Sequence, residues 1–136
     1  MIITNTLLMT LQEILDTIDG RLVTGNGNGI PAPGLNGTTG GVSSNGFNLA
    51  FASDLMSDVL TLSNDNVVLL TGLATLQTIR TAEMADINCI IFVRNKRVSP
   101  EMVELANESG IELIECRYSM FKTSGLLYQA GLGPVY

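Results

Sequence analysis

The chain has 136 residues, 46% of them hydrophobic and 15% charged, which fits one domain and excludes a disordered chain, a coiled coil or a charged tail. Thirteen acids against seven bases give a net charge of −6, which argues against nucleic acid as a partner. Histidine is absent, which removes the commonest general base, Ser-His and Cys-His nucleophile pairs and the usual zinc sites.

Along the chain, Met1 to Leu8 is an apolar extension, and Met9 stands directly before a T-x-x-E capping box formed by Thr10 and Glu13. A short helix follows, with Leu11, Ile14, Leu15 and Ile18 on one face and Gly20 as its stop. Arg21 to Thr24 reads as a short strand. No charge occurs from Leu22 to Ser53, and nine of the fourteen glycines fall between Gly20 and Gly46. Residues 25–46 are therefore expected to form a flexible Gly/Asn-rich loop. Within it, Gly27 to Ala32 formally fits G-x-G-x-x-A. Pro31 and Pro33 oppose a helix opening there, and no acid follows about twenty residues on.

Phe47 to Ala52 is apolar enough for a strand, and Ser53 is placed to cap a helix from Asp54 to Leu62. Val67 to Thr71 reads as a buried strand closed by Gly72. Thr75 opens a helix to Asp86, with Leu76, Ile79, Ala82 and Met84 expected to face inward. Ile87 to Val93 is another apolar strand. Ser99 and Pro100 are N-cap and first residue of a helix stopped by Gly110. Ile111 to Cys116 is the next strand, and Ser119 starts a last helix through Ala130. Continuous apolar strands alternating with helices predict an α/β fold, a Rossmann-like parallel sheet flanked by helices on both faces.

Cys89 and Cys116 lie in apolar strand runs without metal-site spacing, so buried reduced thiols are expected. The opening stretch has no basic region, and Gln12 and Glu13 interrupt it. A cytoplasmic protein with no membrane span follows from this reading.

In open α/β sheets ligands bind beyond the carboxyl ends of the strands, near helix N-termini. That rule selects Ser53, Asp54, Thr71, Gly72, Arg94, Lys96, Arg117 and Ser119 as ligand-binding candidates. Arg94, Lys96 and Arg97 form a basic cluster after a strand, and Arg117, Tyr118 and Ser119 offer a cation, a ring and a helix start. Arg80 joins the candidates as a planar fork for phosphate or carboxylate, with an i, i+3 ion pair to Glu83 as its plainer role. Asp54 and Asp58 fall at i, i+4 on the expected helix, an arrangement that a hard cation would compensate and a metal enzyme would use. The plainer role of Ser53 and Asp54 is capping and helix-dipole stabilisation. No P-loop sequence occurs. No catalytic residue, metal ligand or cofactor is assigned.

The strings ASDLMSDVL (52–60), LLTGLATLQTIRTAEMADI (69–87), IIFVRNKRVSPEMVELANESGIELIE (90–115) and SMFKTSGLLYQAGL (119–132) resemble the DRTGG domain family. The pentapeptide that names the family is not present literally, and the glycine-rich tract is longer than the family's segment. The resemblance implies a single DRTGG-like domain over residues 1–136, similar to the N-terminal domain of HPr kinase/phosphorylase. Such domains accompany CBS domains in regulated pyrophosphatases as regulatory, dimerising modules. The expectation is a non-catalytic homodimer that binds a small anionic ligand or adenine nucleotide. Stand-alone versions, encoded near iron hydrogenases and histidine-kinase-like ATPases, imply an alternative: an accessory protein for a redox enzyme or signalling ATPase, with no ligand of its own.

Overall fold

The computed structural model describes residues 8–25 and 46–136. The expected loop, apart from its end residues Gly25 and Gly46, and the Gly27–Ala32 string lie outside the described residues. Eleven elements follow in order: α1 (Leu11–Ile18), β1 (Arg21–Leu22), β2 (Leu49–Ala52), α2 (Met56–Val59), β3 (Val67–Thr71), α3 (Leu76–Met84), β4 (Cys89–Phe92), α4 (Pro100–Ser109), β5 (Glu112–Glu115), α5 (Met120–Ala130) and β6 (Gly133–Pro134).

The strands form one sheet in the order β1-β5-β4-β3-β2-β6. Strands β2 to β6 are parallel to their neighbours, and β1 pairs antiparallel with β5. The α/β expectation therefore holds, with one antiparallel edge added. Alternation along each strand divides the core in two. Val67, Leu69, Ile90, Phe92 and Leu113 face α2, α3 and α4, whose Met56, Val59, Ile79, Ala82, Met102 and Ala106 pack against them. Val68, Leu70, Cys89, Ile91 and Ile114 face the other way, onto Ile14 and Ile18 of α1 and Leu127 of α5. Both faces are thus covered. Helices α2, α3 and α4 join successive neighbouring strands on one face, while α5 carries the chain back across the other face to β6, beside β2.

Helix ends follow local chemistry. Thr10 Oγ1 accepts the Glu13 amide at 3.1 Å while Glu13 Oε1 accepts the Thr10 amide at 2.9 Å, completing the capping box. Replacing Thr10 with alanine is expected to cost about 1 kcal/mol, read as a lower urea midpoint with unchanged slope. Helix α1 ends on Asp19, which takes the left-handed conformation at φ 53°. Gly20 takes part in the stop as expected, its amide donating to the Leu15 carbonyl at 2.9 Å, and it also leaves room, since a Cβ there would meet Ile114 Cγ2 at 2.8 Å. Its bareness lets the chain enter β1 against β5. Ser99 caps α4 and Gly110 ends it at φ 72°, as the sequence predicts.

Three expectations are corrected. Helix α2 is a single turn starting after Leu55, so Ser53 is not its N-cap; the Ser53 hydroxyl accepts the Leu55 amide at 3.0 Å instead. Asp54 consequently lies outside any helix, and it does not share a helix face with Asp58. Met84 is 68% exposed, and the buried face of α3 is made by Thr78, Ile79, Thr81 and Ala82. Threonines reach the interior there because their hydroxyls can bond locally: Thr78 Oγ1 donates to the Leu73 carbonyl at 2.6 Å. Both cysteines are free and buried, and burial pushes the Cys89 thiol far up, which suits an inert thiol at that position.

Candidate ligand site at the strand ends

Register brings the carboxyl ends of the central strands level: Ala52 lies beside Leu70, Thr71 beside Phe92, and Phe92 beside Glu115. The connecting segments just beyond them therefore share one end of the sheet. Ser53 donates its amide to Leu70 O at 3.0 Å, which extends β2 by one residue and delivers Asp54 to the end of β3. There the Asp54 carboxylate accepts the Thr71 hydroxyl at 2.9 Å and the Gly72 amide at 2.7 Å, both on Oδ1.

Arg94 arrives from β4. Its main chain is left-handed at φ 61°, as is that of Asn95 at φ 60°. The pair is held by amide bonds from Arg94 to Tyr118 O at 2.7 Å and from Asn95 to Cys116 O at 3.0 Å. Left-handed backbone costs a non-glycine residue about 1–2 kcal/mol, so these tethers keep Arg94 where it is. Its guanidinium lies across Gly72: a Cβ on that glycine would stand 2.9 Å from Arg94 Cζ, Nη1 and Nη2. Arg94 Nη1 is 3.9 Å from Asp54 Oδ2, a loose pair with both side chains about half exposed.

The Gly72 amide bond foremost, helped by Thr71, Arg94 and Lys96 against a partial burial penalty, holds the Asp54 carboxyl below the usual carboxylate range. A depressed folded value means that the stabilisation is present above the unfolded value near ~3.9 and is lost as pH falls through the folded one. Asp54→Asn is accordingly expected to reduce the drop in melting temperature between about pH 5 and pH 2. An unchanged acid slope in that variant would count against the assignment.

Of the nine candidates, Ser53, Asp54, Thr71, Gly72, Arg94 and Lys96 converge here. Arg117 and Ser119 stand at the next strand end and are otherwise engaged. Arg117 donates to Asp19 Oδ2 at 2.9 Å and lies 5.3 Å from the Tyr118 ring, while Ser119 caps α5 by accepting the Lys122 amide at 3.0 Å. Arg80 is exposed on α3 and forms no ion pair with Glu83 among the described residues.

Two features escape local reading. Glu115, partly buried with its side chain 10% exposed, pairs with Arg21 at 2.6 Å and Arg97 at 3.8 Å, and accepts the Val98 amide at 2.9 Å. It floors a polar hollow of about 140 Å³ shared with Asp19, Asn95 and Arg117. An apolar groove of about 360 Å³ runs between α5 and β2–β6, walled by Phe121 and Tyr128 and floored by Ala50, Ala52 and Gly133. The exposed aromatics on α5 at i and i+7 were the only sequence mark of it. Among the described residues, no three His, Cys, Asp or Glu side chains gather as a metal-binding group, and no helix is long and apolar enough to cross a membrane.

The sheet order and the two helical layers together define an α/β domain. No protein-family model and no curated protein matches the chain. Its structure is similar to the crystal structure of the CBS and DRTGG domains of the regulatory region of Clostridium perfringens pyrophosphatase, complexed with the activator diadenosine tetraphosphate. The TM-score is 0.64 at 16% identity, over 91% of this chain and 48% of that one. This chain thus spans about half of that one, and the likeness is one of fold.

Proposed function

We propose that residues 1–136 form a non-catalytic regulatory domain that assembles as a homodimer and binds a small anionic ligand of the adenine-nucleotide class. The site is the carboxyl end of β2, β3 and β4. The observation that carries this reading is the Arg94 guanidinium laid across Gly72, beside a main-chain amide and a buried hydroxyl that already hold a carboxylate. Such a donor set recognises oxyanions, and two left-handed residues are kept in place around it, as strained backbone is at ligand sites. Lys96 adds positive charge to that end of the sheet, and Arg80, Arg117 and Ser119 are proposed to contribute only through longer-range charge and dipole from the neighbouring elements. The similar pyrophosphatase region is regulatory and was crystallised with a dinucleotide activator, which supports a regulatory role for a domain of this fold. The same reading makes the chain cytoplasmic and akin to the N-terminal domain of HPr kinase/phosphorylase.

Calorimetric titration of ADP and ATP tests the ligand half: saturable heat is expected, and none at millimolar nucleotide refutes it. Sedimentation equilibrium tests the assembly half: twice the 14.5 kDa chain mass is expected, and a monomer refutes it.

A second reading rests on the apolar groove. Phe121 is 89% exposed and Tyr128 69% exposed beside it, and exposed apolar surface of this kind marks contact sites. In this reading the chain is an accessory protein for a redox enzyme of the hydrogenase type or a signalling ATPase. Partner capture from a lysate together with silent calorimetry would favour it.

A further inference from the structure

The strand-end site already holds an anion of the chain's own. Asp54 Oδ1 takes both the Thr71 hydroxyl and the Gly72 amide, and Oδ2 faces Arg94. A main-chain amide at a strand end, a hydroxyl and a planar guanidinium are the donors that hold one face of a phosphoryl group.

Two further features describe how Asp54 holds this position. Its side chain is 51% exposed, so it reaches the donors from the solvent side and can leave by turning about its own bonds. The Thr71 and Gly72 donors cannot follow it. Thr71 is fully buried in β3, the Gly72 amide is part of the main chain, and the Arg94 backbone is tied to Tyr118 O with its guanidinium seated over Gly72.

Resting on the anion-binding reading above, we propose that Asp54 is a tethered competitor: its carboxylate occupies the position of a ligand phosphoryl group and must be displaced for the ligand to bind. The ligand class that wins this exchange is a phosphate ester or pyrophosphate carrying two or more charges, because it outbids a single tethered charge at Arg94. A tethered group acts at an effective concentration of roughly millimolar or more, so Asp54 sets the ligand concentration at which the site fills. Thr71 and Gly72 keep an acceptor in both states, so the exchange exposes no unpaired buried donor.

The role is distinguished from that of a ligand-contacting or purely structural carboxylate by the sign of its removal. Inorganic pyrophosphate is titrated calorimetrically into the full chain in magnesium-free buffer, with wild type, Asp54→Ala, Asp54→Asn and Arg94→Ala compared. If Asp54 occupies these donors more than about 90% of the time, Asp54→Ala binds at least about tenfold more tightly than wild type, Asp54→Asn binds more tightly than wild type by a smaller factor, and Arg94→Ala binds more weakly than wild type. Asp54→Asn retains an acceptor for Thr71 and Gly72, so it alone decides if Asp54→Ala does not fold. Affinity equal to or weaker than wild type in the Asp54 variants, with Arg94-dependent binding intact, overturns the competitor and leaves the anion site standing. Failure of every form to bind, the Asp54 variants included, overturns the anion site itself.

Discussion

Phe92→Ala is expected to destabilise the chain by about 3–5 kcal/mol, against a total of about 5–15 kcal/mol for a domain of this kind. Phe92 is fully buried at the carboxyl end of β4, in the core layer beneath α2, α3 and α4. Truncation removes apolar area from water-free packing and leaves a cavity that the flanking strands cannot close, because β3 and β5 pair with β4 on either side. Phe121→Ala is the internal control, since the same chemistry at an 89% exposed position is expected to change stability by less than about 0.5 kcal/mol. Urea denaturation of the two variants measures the contrast. Similar midpoints would mean that Phe92 does not sit in the core as described.

The second large effect separates function from stability. Arg94→Gly is expected to weaken binding of a nucleotide or pyrophosphate by about ten- to a hundredfold, the scale of losing one charged hydrogen-bonding partner. The fold should tolerate the change or gain from it. Arg94 holds φ at 61°, a conformation that glycine adopts freely and other residues adopt at a cost of about 1–2 kcal/mol. The pair that the change removes is half exposed and 3.9 Å long, an arrangement worth at most about 1 kcal/mol. Calorimetry and thermal melting on the same protein report the two outcomes. Lower stability with unchanged binding would make Arg94 a structural residue and reverse the assignment.

How much of this was legible depended on sequence distance. Thr10 with Glu13, Ser99 with Pro100 and Gly110, and Ser119 before Met120 act within one turn of helix, and each lies where local chemistry places it. The buried strand Val67–Thr71 was also readable, because its five residues are apolar or small and all face the interior. Ser53-Asp54 misled for the opposite reason. Locally it is a good helix start, but its partners Thr71 and Gly72 lie seventeen and eighteen residues on, and they claim the carboxylate first. The strand-end rule still selected Asp54, Thr71, Gly72 and Arg94, while the seating of Arg94 on Gly72 depended on a left-handed turn that no spacing reveals. Strand β6 is a Gly-Pro pair with poor strand propensity, held only by its pairing with β2, so nothing local announced it. Glu115 likewise gathers Arg21 from ninety-four residues away.

The central claim, that an anionic ligand sits at the ends of β2, β3 and β4, is tested most directly by amide-resolved NMR during a nucleotide titration. The Gly72 amide now donates to Asp54, and the Arg94 guanidinium lies over the same glycine, so both report on that one position. The account predicts that the Gly72 amide and Arg94 Nε signals shift first and saturate together. Saturable shifts confined to Phe121, Tyr128 and the α5 groove, with Gly72 and Arg94 unmoved, would contradict it.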